Sequence, residues 1–128
     1  MLRAITPPAL RPPFARYSHA VEVAPGARLV FCSGQLGIAA DETIPDSVEE
    51  QARLIFRSIS AILAEAGMGL ADLVRLNAYV TAREHLSGYM AVRDEIVVEP
   101  PPASTLMIVS GFTRQAFKVE VEAVAAKV

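Results

Sequence analysis

Phe117-Lys118-Val119-Glu120-Val121-Glu122-Ala123-Val124-Ala125-Ala126 alternates so regularly that each side chain can be assigned to a face. Successive strand residues point to opposite sides, which puts Val119, Val121, Ala123 and Ala125 on one face and Glu120, Glu122 and Val124 on the other. Two carboxylates at i and i+2 on one strand face stand about 6.5–7 Å apart and feel each other's charge. If another part of the protein or another subunit closes over that face, desolvation and like-charge repulsion raise at least one of the two pKa values. Such a carboxyl group moves protons near neutrality. If the face stays open, the two glutamates are simply the soluble side of an edge strand.

Working outward, 128 residues make one domain, spanning 1–128, with a core of useful size. Half the chain is hydrophobic, 52%, more than one small core absorbs, so apolar faces that pair with further copies of the chain are expected. A net charge of -2 opposes a phosphate-binding surface, and nucleic acid is not an expected partner. The single Cys32 rules out an intrachain disulfide and a multi-cysteine zinc site, which suits the cytoplasm. Met1–Ile5 is too short and too weakly apolar for a signal peptide, and no run approaches a membrane span of about 20 residues.

Pro7, Pro8, Pro12 and Pro13 make residues 1–15 an extended N-terminal arm. From Arg16 the pattern has period two, with Tyr17, His19, Val21 and Val23 opposite Ser18, Ala20 and Glu22. Pro25-Gly26 is turn chemistry, and the apolar Leu29-Val30-Phe31-Cys32 predicts the second arm of a hairpin, ending in a flexible Ser33-Gly34-Gln35. Ser47-Val48-Glu49-Glu50 has capping-box spacing and opens a helix to about Ala66, stopped by Gly67. Its stripe is Val48, Ala52, Ile55, Ile59, Ile62, Leu63 and Ala66, with Arg53, Arg57, Ser58 and Glu65 largely off it. Asp72–Thr81 predicts a strand with Leu73, Arg75, Asn77 and Tyr79 facing away from Val74, Leu76, Ala78 and Val80. A second helix covers Leu86 to Val97, stopped by Pro100-Pro101-Pro102, and Ser104–Val109 is the next strand. The order calls for an α+β fold, a mixed sheet with both helices on one face and the other face left for subunit contacts.

Three pieces in this order, Arg16-Tyr17-Ser18-His19-Ala20-Val21, Phe31-Cys32-Ser33-Gly34-Gln35-Leu36 and Val119-Glu120-Val121-Glu122-Ala123-Val124-Ala125, together with Pro102-Ala103, closely resemble the RidA (YjgF/UK114) family. The resemblance implies a chorismate-mutase-like (YjgF-like) subunit, a homotrimer whose sheets form a central barrel, and small-molecule ligands in clefts between subunits. It implies hydrolysis of reactive enamines or imines, released by pyridoxal-phosphate enzymes, to 2-oxo acids and ammonia, with no metal and no cofactor. By position it gives Tyr17 as a cleft residue, Ser33 and Gly34 as ligand contacts, and Glu120 as the group that positions or deprotonates the attacking water. The chain departs from the archetype at Ser104, where a carboxylate-clamping arginine is usual, and at Leu106, where a cysteine is common. A hydroxyl does not replace a bidentate guanidinium. Arg16, Arg75, Arg93 and Arg114 are the candidates for a substitute anchor.

Of the remaining groups, His19 in a strand reads as a packed, hydrogen-bonded residue or a proton shuttle, His85 as a solvent-exposed one, and Cys32 as a buried thiol. Glu122 reads as structural. Ser33 lacks a base and orienter, so no hydrolase triad is expected. The expected function is water addition to a small imine or enamine, with Glu120 as base and Tyr17, Ser33, Gly34 and Ser104 lining the cleft. The alternative is a non-catalytic trimer binding a small metabolite there, and a narrower version is a deaminase specialised for a ring-cleavage amine.

Overall fold

The computed structural model describes residues 2–128. Its elements are β1 (Leu2–Ile5), β2 (Ala20–Val23), β3 (Arg28–Leu36), α1 (Val48–Glu65), β4 (Leu73–Val80), α2 (Leu86–Ile96), β5 (Ala103–Ile108) and β6 (Val119–Lys127). Four strands form a mixed sheet in the order β3-β6-β4-β5, parallel only between β4 and β5. The decisive strand, β6, is therefore central, antiparallel to β3 on one edge and β4 on the other. Its apolar alternates Val119, Val121 and Ala125 are fully buried, and Ala123 nearly so.

Both helices cover that face. In α1, Ala52, Ile55, Ile59 and Leu63 are buried with Phe56, while Tyr89 and Val92 come from α2. Ile62 and Ala66 flank the core half-buried. The Ser47 hydroxyl accepts from the Glu50 amide at 3.1 Å, as the cap spacing predicts. Gly67, at φ +71°, ends α1 in a left-handed conformation that suits glycine.

Gln51 is the polar member of the buried helix face. Its amide nitrogen donates to the carbonyls of Pro45 (2.8 Å) and Ala116 (2.9 Å), and its oxygen accepts from the Lys118 amide (2.9 Å). One fully buried side chain thus ties α1 to the segment that delivers β6.

Four expectations are corrected. β2 pairs with β1, not with β3, so the hairpin does not form and part of the N-terminal arm is a strand. The reason lies at Ser18: its amide donates to the Pro102 carbonyl (3.0 Å) and its hydroxyl to that of Pro101 (2.6 Å). These bonds hold the start of β2 beside β5, the sheet edge opposite β3. Ser33-Gly34-Gln35 is not a terminal loop; it lies inside β3, where the register slips between Cys32 and Gln35 as a bulge. Leu73 is buried, because a register shift between Leu73 and Arg75 turns it towards the core. The second helix ends at Ile96, with Val97 already extended, before the prolines are reached.

Replacing Gln51 by Leu keeps the volume but leaves two carbonyls and one amide without their partner. At about 1–3 kcal/mol for each unsatisfied buried group, a loss of roughly 2–4 kcal/mol is expected after local relaxation. Urea denaturation of Gln51→Leu against wild type measures it.

Candidate active site

The sheet face away from the helices carries the outward alternates of three strands: Phe31 and Ser33 from β3, Glu120 and Glu122 from β6, Arg75, Asn77 and Tyr79 from β4. Glu120 lies opposite Tyr79 and Leu36, and Glu122 opposite Asn77. The bulge in β3 adds one residue here, laying Gly34 against the Glu120 side chain. A Cβ at position 34 would stand 2.4 Å from Glu120 Oε2 and 2.8 Å from its Cδ. Glycine permits this approach because it has no side chain to collide.

Gly34, Glu120, Glu122, Tyr79 and the Val109–Phe112 loop line one cavity of about 350 Å³. The Tyr79 hydroxyl donates to Glu122 Oε1 at 2.6 Å, short as expected for a charged acceptor. Glu120 is half-buried without such a donor. Desolvation first, and the neighbouring Glu122 charge second, raise its pKa above the ordinary carboxylate value. The Tyr79 phenol is raised as well, chiefly because its proton is engaged by Glu122. Further along the face, Arg75 donates to Asn77 Oδ1 (2.8 Å) and Thr105 Oγ1 (2.6 Å).

Of the other expected residues, Ser33 is on this face and Tyr17 and Ser104 are not part of this cavity. Tyr17 lines a separate cavity of about 420 Å³ with Arg16, Ser18, Glu99 and Pro101. Its hydroxyl accepts from the Phe14 amide at 3.4 Å, and its ring meets His19 edge-on at 6.2 Å between centroids. His19 Nε2 donates to the Arg11 carbonyl at 2.7 Å and so fastens the N-terminal arm. Ser33 is exposed beside Gly34. Ser104 pairs in register with buried Leu76, and its hydroxyl is buried without a partner. Cys32 is buried, which raises its thiol pKa and leaves it inert. His85 is half-buried at the start of α2 rather than exposed.

Among the four arginines, Arg93 is 2% exposed and held by Asp94 at 3.0 Å, so it is not available as an anchor. Arg114 stacks over Phe117 and faces Glu42 at 3.9 Å. Arg16 donates to the Val97 carbonyl at 3.2 Å and pairs with Glu99 at 3.1 Å beside Tyr17. Among the described residues no group of three or more His, Cys, Asp or Glu could hold a metal ion, and no helix is long and apolar enough to cross a membrane. Tyr79 and Gln51 were not singled out by sequence reasoning. Alternation put Tyr79 on the outward face, but only strand pairing brings it to the carboxylates.

Fold and cavity together define a small α+β domain that presents a paired-carboxylate pocket on an open sheet face. The sequence profile of the family described as Endoribonuclease L-PSP matches residues 8–127. Protein mmf2, mitochondrial, of Schizosaccharomyces pombe is 30% identical over 77% of this chain and 80% of its own. A Dermatophagoides farinae protein named 2-iminobutanoate/2-iminopropanoate deaminase is 26% identical, covering 95% of this chain and 94% of its own. The crystal structure of a Rid-family protein of unknown function from Yersinia pestis superposes with a TM-score of 0.83 at 26% identity, over 98% of both chains. The chain belongs to the Endoribonuclease L-PSP family, the RidA/YjgF group indicated by its motifs.

The raised Glu120 pKa has a signed consequence. A carboxyl whose folded pKa exceeds its unfolded one contributes stability that is present below the unfolded value, near 4.5, and lost as pH rises through the folded value. Glu120→Gln removes that loss. Its denaturation midpoint should exceed the wild type's at neutral pH, and the difference should vanish below about pH 4. Paired urea melts across pH measure this.

Proposed function

We propose that the protein is a homotrimeric deaminase that adds water to a small reactive imine or enamine tautomer, giving a carbonyl compound and ammonia. Glu120 takes a proton from water as the oxygen bonds to the imine carbon, the C=N electron pair moves to nitrogen, and the Glu120 carboxyl returns that proton to the nitrogen to give the carbinolamine. The same carboxyl group then moves the remaining proton as the carbinolamine collapses and the C–N bond breaks. The observation that carries this reading is the half-buried Glu120 carboxylate under Gly34, its proton affinity raised by burial first and by the Glu122 charge second. Tyr17, Ser33, Gly34 and Ser104 are the proposed ligand-lining residues. Within one subunit Tyr17 and Glu120 line different cavities, so the complete cleft in this reading needs two copies. Exposed Leu29, Phe31 and Met107 on the open sheet face supply the apolar contact for that association.

Support for the chemistry comes from the relative named as an iminobutanoate and iminopropanoate deaminase. The family description names an endoribonuclease, but two carboxylates in the cavity and a net charge of -2 repel a phosphodiester, so C=N hydrolysis fits better. No cofactor is needed for this step, and the reading places it in the cytoplasm. A second reading, a non-catalytic metabolite binder, is favoured by Ser104. A hydroxyl at that position does not clamp a carboxylate as a guanidinium does.

The test generates 2-imino acids in situ with an amino-acid oxidase, alongside a panel of neutral imines, and follows their loss. Accelerated loss that falls at least 100-fold in Glu120→Gln is expected for general-base catalysis. Unaccelerated decay across the panel, with saturable binding of the carbonyl products, selects the binder. Gly34→Ala should also lower turnover strongly, since its methyl group displaces the Glu120 carboxylate.

A further inference from the structure

The cavity that holds Glu120 has a neighbour. Gly111 and Phe112 line it and also line a second cavity of about 350 Å³, formed with Thr81, Arg114 and Gln115. We infer that Arg114 is the carboxylate anchor of this site, and that the ligand it selects is a carbonyl or imine compound whose carboxylate stands several carbons away from the C=O or C=N carbon. The catalytic sense of this rests on the reading of Glu120 as the group at the reacting end; the binding rests on the paired cavities alone.

The two compartments have opposite character. Glu120 and Glu122 make the first acidic, whereas Arg114 is the cation in the lining of the second. A carboxylate is repelled by the one and drawn to the other, so an anionic ligand enters in one orientation. The guanidinium offers the planar fork that Ser104 lacks. Spacing then sets the length of the ligand. Tyr79 lines the first compartment and Thr81 the second, and the Thr81 amide donates to the Lys118 carbonyl at 3.1 Å, which continues the pairing of β4 with β6 between them. Two residues of extended chain span about 6.5–7 Å. A carboxylate bonded directly to the reacting carbon, as in a 2-imino acid, does not bridge that span, and one at the end of a short chain does. Gly111 brings no side chain to the common wall, and a Cβ there would meet nothing within 4 Å, which leaves room at the junction.

Arg114 is held loosely enough to serve. Its partner Glu42 stands 3.9 Å away, and the two side chains are 56% and 77% exposed, so the pair contributes little and yields to a competing carboxylate. Glu42 itself has φ +73°, in the left-handed region that favours glycine. Its turn is closed by the Glu42 amide on the Ala39 carbonyl (2.9 Å) and the Ala39 amide on the Thr43 carbonyl (2.8 Å), bonds that glycine would also make. A carboxylate thus occupies a strained backbone position opposite the guanidinium, as a stand-in for that of the ligand. The other candidate arginines are engaged more closely: Arg75 with Asn77 and Thr105, Arg16 with Glu99 at 3.1 Å and Arg93 with Asp94 at 3.0 Å.

Binding can be measured without turnover, using levulinate as the keto acid with a remote carboxylate, pyruvate as the one with an adjacent carboxylate, and a neutral methyl ketone of levulinate's chain length. Titrations of ¹⁵N-labelled protein follow the Gly111 and Phe112 amides. Levulinate should bind about tenfold more tightly than either of the others. Arg114→Gln should erase that preference and leave the neutral ketone's affinity unchanged, while Arg114→Lys, which keeps the charge without the fork, should recover part of it. Glu42→Gly should tighten levulinate severalfold. Levulinate bound no better than the ketone, a preference that survives Arg114→Gln, or shifts that bypass Gly111 and Phe112 overturn the inference. Should Arg114→Gln fail to fold, Glu42→Gly decides, since glycine suits that turn: unchanged levulinate affinity overturns it. If imines are turned over, Arg114→Gln should raise KM about tenfold for the imine of levulinate and leave that of a neutral imine unmoved. The levulinate preference with no turnover in any variant would sink the deaminase reading and leave the anchor standing. Turnover with both KM values indifferent to Arg114→Gln would do the reverse.

Discussion

Strand β6 is held on three sides, by β3 on one edge, β4 on the other and the helices across its apolar face, and the remaining side carries two carboxylates. Every feature of the cavity follows from that confinement. Because Val119, Val121, Ala123 and Ala125 are committed to the core, Glu120 and Glu122 have no alternative to the opposite face. A slip of one residue would bury both acids and expose the valines, so the packing energy of the core also fixes the chemistry of the open face. Side-chain burial of this kind stabilises by about 1.5–3 kcal/mol per large aliphatic residue, far above what repulsion between two half-exposed carboxylates costs. Packing therefore prevails, and the charges are held close together.

Two local devices refine the arrangement. Gln51 bonds the segment leading into β6 at Ala116 and Lys118, so the strand starts in one register relative to α1. The bulge at Ser33-Gly34 bends the facing strand and brings backbone where a side chain would otherwise stand. One device works from the core side and the other from the open side. Both act on the position of Glu120, and polar Gln51 is accommodated in an apolar helix stripe because each of its bonds satisfies a buried backbone group.

The same sheet face holds exposed Phe31, Leu29 and Met107 around a polar centre of Arg75, Asn77, Tyr79 and the two glutamates. The exposed apolar side chains of that face suit association of copies, because pairing removes them from water. Tyr17 lines a different cavity, next to Ser18, whose hydroxyl bonds the Pro101 carbonyl after α2. That Tyr17 and Glu120 line different cavities of one chain is what makes association part of the proposed chemistry rather than an addition to it.

Much of this was legible in the chain itself. Period two in Val119–Ala125 gave the faces of β6, Ser47 and Gly67 marked the ends of α1, and the spacing of apolar residues gave its buried side, because each signal is local and reports on neighbours within one turn or one pleat. Partner choice is different. That β2 would take β1 instead of β3, that Ser33-Gly34 would bulge within a strand, that Leu73 would turn inward and that Tyr79 would reach Glu122 all depend on residues tens of positions away competing for the same backbone groups and the same space. Sequence by itself determined which side chains face together along β6 and α1; only the tertiary structure decided which elements meet and where β3 and β4 break their alternation, since pairing energy is shared among distant strands and no single segment encodes it.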